Sequence, residues 1–110
     1  MNTKLEDEVR GEGVFELVSH RELRIGTLPT AIRMRIYRKP DGKLRIEQSH
    51  FIKTGIQYLP YAVNEFQGPD ESATVKELER NILGFYDQAI RRGYTPSECW
   101  LVPNSAFHDL

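Results

Sequence analysis

Between Ile32 and Phe51 the chain alternates apolar and polar residues on both sides of a Pro-Asp-Gly turn, and no other feature limits its fold as much. Ile32, Met34 and Ile36 alternate with Arg33, Arg35 and Tyr37. A period of two with one polar side is the pattern of a half-buried strand. Lys39-Pro40-Asp41-Gly42-Lys43 follows. Proline presets φ for the second turn position, and glycine accepts the left-handed conformation after it. This chemistry predicts a type I turn closed by a glycine bulge, a three-residue hairpin loop. Leu44 to His50 is then the returning strand, and Lys39 faces Lys43. In that register Ile36 meets Ile46, Met34 meets Gln48 and Ile32 meets His50. On the opposite face Tyr37 meets Arg45, Arg35 meets Glu47 and Arg33 meets Ser49. Apolar against apolar and acid against base are the pairings that stabilise a sheet.

The remaining elements follow from shorter signals. Val14 to Val18 has strand character, continued by Leu23 and Ile25 after a break. Pro60 keeps Ile56–Val63 out of a central strand, so it reads as an edge strand or ordered loop. Asn64 to Ser72 reads as loop. Thr74-Val75-Lys76-Glu77 fits a helix capping box. Val75, Leu78, Ile82, Phe85 and Ala89 form one apolar stripe, widened by Leu83, Tyr86 and Ile90. Arg91, Arg92, Gly93 and Pro96 suit the end of that helix. Gly84 inside it reads as a place of close packing against the sheet. Cys99 to Val102 reads as a short final strand. The predicted fold class is α+β: an antiparallel meander with a central hairpin, covered on one face by one long C-terminal helix, then a short final strand. Residues 13–103 form the single domain, between an acidic N-terminal tail, 1–12, and a C-terminal tail, 104–110. This order of hairpin, capped helix and final strand resembles in outline that of small antitoxin domains of the HicB type. The resemblance lies in topology and the Thr74-x-x-Glu77 cap, and it assigns no residue a role.

A chain of 110 residues suffices for one core. No apolar run approaches the ~20 residues of a membrane span. The first thirteen residues lack the apolar stretch of a signal peptide. Cys99 is the single cysteine, so no intrachain disulfide can form. These features predict a cytoplasmic protein that does not enter a membrane. Charge is unevenly placed. Residues 20–54 hold nine Lys or Arg against three acids, whereas both flanking segments are net acidic.

The candidate metal ligands, His20, His50, His108 and Cys99, fall in no ligand spacing, and no cofactor motif occurs. His50 reads as a hydrogen-bonded core histidine. Cys99, beside Trp100, Leu101 and Val102, reads as a small buried hydrophobe. A cysteine enzyme pairing it with His50 or His20 is the third alternative. The leading candidate is the outer hairpin face. Arg33, Arg35, Tyr37 and Arg45 share it, and continued alternation adds Phe51 and Lys53. Arginine and tyrosine are favoured at protein interfaces, so this face predicts a non-enzymatic binding or regulatory module with a protein partner. Arginines interleaved with aromatics also suit nucleic acid, the second alternative. A solvated face with partly cancelling charges is the plain reading.

Overall fold

The computed structural model describes residues 15–63, 65–66 and 70–108. Four antiparallel strands, β1 (Glu16–Leu23), β2 (Ile32–Arg38), β3 (Leu44–Gln48) and β5 (Glu65–Phe66), form a sheet in the order β1-β2-β3-β5. Between β3 and β5 in sequence, β4 (His50–Ile52) pairs instead with β6 (Leu101–Pro103) as a separate antiparallel ribbon. The helix α1 (Glu71–Arg91) covers one face of the meander. The expected α+β architecture is present.

The core follows from the alternation. Ile32, Met34 and Ile36 of β2 and Leu44 and Ile46 of β3 are buried against Val75, Leu78, Ile82, Tyr86 and Ala89 of α1. The hairpin register is the expected one from Met34↔Gln48 to Tyr37↔Arg45. Gly42 has φ 88°, and its N–H donates to the Lys39 carbonyl at 2.9 Å. Asp41 fixes the turn further, its side chain accepting from the Lys43 N–H at 3.0 Å.

At Ser49 the hairpin departs from expectation, and the returning strand stops at Gln48. The Ser49 N–H still donates to the Arg33 carbonyl at 2.8 Å. The Arg33 N–H, however, donates to the Ser49 hydroxyl at 2.8 Å rather than to its carbonyl. That carbonyl instead accepts the Asn104 N–H at 2.9 Å. One side-chain oxygen thus closes the first ladder and frees the backbone for a second. His50 consequently faces Pro103, not Ile32.

Other boundaries differ. β1 runs unbroken to Leu23 with a bulge between Leu17 and Ser19, and Val14 lies outside the described residues. Residues 56–63 are an ordered loop with one bridge, Ile52↔Tyr61. The helix begins a turn before the predicted capping box. Asp70 is its N-cap, accepting from the Ser72 and Ala73 N–H groups at 3.0 and 3.3 Å, and Thr74 is buried within the first turns. The cap that contributed to the antitoxin resemblance is therefore absent. At the other end Gly93, φ 91°, donates to Ile90 and Tyr94 donates to Ala89, a paired closure of the last carbonyls. Gly84 packs against nothing: among the described residues no atom outside the helix backbone lies within 4 Å of where a Cβ would stand. The final strand starts later than expected because Glu98–Trp100 form a 3-10 turn, with Ser97 accepting from the Cys99 N–H at 3.2 Å. Trp100 takes the buried place, edge-on to Tyr86 at 5.6 Å, and Cys99 is exposed rather than buried. Among the described residues no helix is long and apolar enough to cross a membrane.

Candidate functional site

Strand alternation sets Arg33, Arg35, Tyr37 and Arg45 on the face of the hairpin away from α1. Aromatic rings from outside the hairpin cover them. Phe107 lies under two guanidinium groups, 4.1 Å from that of Arg35 and 5.2 Å from that of Arg33. Phe15 lies 5.6 Å from the Arg45 guanidinium and 6.4 Å from the Tyr37 ring. The electron-rich face of each ring attracts the cation above it.

Arg35 is the centre of this arrangement and is buried. Its Nη1 donates to Glu47 Oε1 at 3.3 Å, and its Nη2 donates to the His108 carbonyl oxygen. The Tyr37 hydroxyl donates to the same Glu47 oxygen at 3.2 Å. Burial, and then the negative charge of Glu47, raise the Tyr37 pKa above its usual value of 10.0. The protonated phenol therefore holds its donor role.

Residues 104–108, expected to be a tail, complete the face. Asn104 anchors them, its side chain donating to the Gln48 carbonyl at 2.9 Å and accepting from the Ala106 N–H at 3.0 Å. Phe107 donates back to the Asn104 carbonyl at 3.0 Å, which turns the segment onto the arginines. Between this segment and β3 lies an open depression of about 320 Å3, lined by Arg45, Glu47, Phe51, Ala62, Asn104 and Phe107. Arg45 and Phe51 thus meet at one depression, and Phe107 joins them to Arg33 and Arg35. Lys53 does not line it; its N–H donates to Trp100 beyond the end of β4. Sequence reasoning placed none of Phe15, Asn104, Phe107 and His108 on this face. Pro103-Asn104-Ser105 is a turn signal, but nothing local in it says where the turned segment lands.

The histidine and cysteine candidates stand elsewhere. His50 Nδ1 and Ser49 Oγ are 2.9 Å apart, and that oxygen also accepts the Arg33 N–H. Burial, then the Arg33 charge, lowers the His50 pKa below its usual value of 6.5. That lowering favours the neutral imidazole in this contact. Ser49 is buried, so the pair locks the strand crossing rather than presenting a nucleophile. Among the described residues no hydrogen bond joins a histidine to the Cys99 thiol, and no three of His, Cys, Asp and Glu gather into a metal-holding group. No family model matches this chain, and neither does any curated protein or solved structure.

Proposed function

We propose that the chain is a non-enzymatic binding module that holds a protein partner at the depression between Arg45, Phe51 and Phe107. The observation that carries this reading is the meeting of Arg45 with the aromatic rings of Phe51 and Phe107 at one open depression. Arginine and aromatic side chains supply most of the energy at protein interfaces, and a surrounding rim excludes water from them. The partner's matching chemistry is an acidic side chain for Arg45 beside an apolar one for the depression.

Two features favour protein over nucleic acid on this face. The Phe107 ring already has guanidinium groups against it, which leaves a base less of its surface to stack on. Arg35 has committed donors to Glu47 and to the His108 carbonyl, so it does not offer them to a phosphate.

The test places a photo-crosslinking residue at position 51, with position 87 on the exposed side of the helix as control, in the cell of origin. A partner captured from position 51 only is then titrated against substituted chains. Arg45→Ala or Phe51→Ala should weaken it by roughly thirtyfold, the ~2 kcal/mol of a hot spot, while Asp87→Ala leaves it unchanged. Unchanged binding in both face variants would overturn the reading. Oligonucleotide binding with a log–log salt slope near −2, about three phosphate contacts on a single strand, would move the assignment to nucleic acid.

A further inference from the structure

Residues 104–108 have a fixed root and a separate catch. The root is Asn104. Its N–H donates to the Ser49 carbonyl at 2.9 Å, and its side-chain amide donates to the Gln48 carbonyl at 2.9 Å. Both bonds reach backbone at the end of β3. The next two donors turn inward. The Ala106 N–H goes to the Asn104 side chain and the Phe107 N–H to the Asn104 carbonyl, so both stay within the segment. Ser105 and Ala106 are exposed. The far end is caught by β2. The Phe107 ring lies against the Arg33 and Arg35 guanidinium groups, and Arg35 Nη2 donates to the His108 carbonyl.

Arg35 suits a catch in a way that lysine does not. A guanidinium is flat, with its donors along the edge, so its face can carry a ring while its edge bonds acceptors. Here the face carries Phe107, Nη1 meets Glu47 and Nη2 meets the His108 carbonyl. Arg35 is 9% exposed, and Glu47 holds it in place whether or not the ring is seated.

The segment borders the depression and does not fill it. Asn104, Ala106 and Phe107 line one side, Arg45, Glu47 and Phe51 line the other, and about 320 Å3 stays open between them. A plug would compete with an occupant, whereas a wall gains a contact from one. Among the described residues that line the depression, Arg33 and Arg35 are absent.

We propose that residues 104–108 are a hinged wall of the partner site, and that Arg33 and Arg35 are positioning residues that hold Phe107 in that wall rather than groups that meet the partner. This rests on the reading of the depression as the partner site. The segment swings about Asn104 while the domain stays folded, and the open form of the depression lacks Phe107. Linkage makes the effects reciprocal. A partner that touches Phe107 holds the wall shut, and a change that releases the wall lowers affinity in proportion to the closed fraction lost.

Amide hydrogen exchange in sub-denaturing urea tests the hinge with no partner present. The Asn104 N–H should exchange with the urea dependence of the whole domain. The Ala106 and Phe107 N–H groups should be partly protected and nearly independent of urea, because a local opening exposes little surface. Phe107→Leu keeps apolar bulk and loses the ring, and should speed exchange at Ala106 about threefold to fivefold with Asn104 unchanged. Arg35→Lys should act in the same direction, and Phe107→Tyr should keep the wild-type rate. Exchange at Ala106 and Phe107 with the domain's urea dependence would overturn the hinge. Amides there without protection, or equal rates in Phe107→Leu and Phe107→Tyr, would overturn the catch. In titrations of the partner captured from position 51, Arg35→Lys should weaken binding, and Arg35→Lys combined with Phe107→Leu should bind no more weakly than Phe107→Leu alone. Losses that add would show Arg35 meeting the partner and refute its positioning role. If position 51 captures nothing, the partner site fails on its own, and hydrogen exchange still decides the hinge.

Discussion

Gly42 illustrates how much one position can decide. Its φ of 88° lies where a β-branched residue is disfavoured, and its surroundings leave a Cβ free of contacts, so the penalty there is purely conformational. Gly42→Val should therefore destabilise by about 1 kcal/mol or more, read as a lower urea midpoint with an unchanged slope. An unaltered midpoint would show that the turn does not hold the register. His50 is the other decisive residue, because its environment opposes its charge. Its folded pKa lies below 6.5, through burial first and Arg33 second. As pH falls, the unfolded chain takes up this proton before the folded one does. The stabilisation is thus complete above about pH 6.5, erodes as pH drops below that value, and stops eroding below the folded pKa. His50→Gln should flatten this portion of the curve between pH 7.5 and 5. Parallel stability curves for wild type and variant would refute the assignment. Cys99, in contrast, is exposed. A thiol reagent should modify it in the native chain without prior unfolding, and protection equal to that of a buried thiol would contradict the exposed turn.

At the scale of elements, the two ends of α1 show why some boundaries can be read from sequence and others cannot. The C-terminal signals, Arg91, Gly93 and Pro96, sit together and agree, and the helix ends with Arg91. At the N-terminus two candidate caps compete four residues apart. Asp70 wins because starting there winds Thr74 into the helix, where it is buried beside Val75. Local capping chemistry cannot weigh that tertiary gain. Asp70→Ala should cost about 1 kcal/mol as a lost cap, and Leu78→Ala about 2–5 kcal/mol as a core truncation. A smaller loss at Leu78 than at Asp70 in chemical denaturation would mean that α1 is held by its end rather than by its packing. The hairpin was legible for a similar reason to the helix C-terminus: Pro40, Asp41, Gly42 and the flanking alternation all specify one register. Its premature end was not legible, because a serine hydroxyl replacing a carbonyl at Ser49 leaves the alternation unchanged. The candidate face was legible in its arginines, which follow from alternation. It was not legible in Phe107 and His108, which arrive from more than seventy residues away in sequence for the Arg35 contact.

Across the whole molecule, the question is whether the β4–β6 ribbon is a separate unit or part of the same cooperative structure. Among the described residues no backbone ladder joins it to the meander, which alone would allow it to melt first. Its side chains argue otherwise. Ile52 and Leu101 belong to the same buried cluster as Ile32, Leu78 and Ile82. Trp100, immediately before β6, packs edge-on against Tyr86 of α1. The Ser49 and Asn104 hydrogen bonds tie the ribbon to the end of β3 on the opposite side. Removing the ribbon would uncover helix residues that contribute to the whole core, so local opening should approach the free energy of global unfolding. The chain carries one tryptophan, which makes the test direct. Trp100 fluorescence reports the ribbon–helix junction, and far-ultraviolet circular dichroism reports mostly α1. In a urea titration the two transitions should coincide in midpoint and slope, as for a single cooperative unit. Leu101→Ala should move both together, since its cavity would open in the shared cluster. A fluorescence transition at lower urea than the helical one, or a Leu101→Ala effect confined to fluorescence, would show that the ribbon folds on its own account. The Asn104 anchor would then melt with it, and the arginine face would lose its Phe107 cover before the domain unfolds.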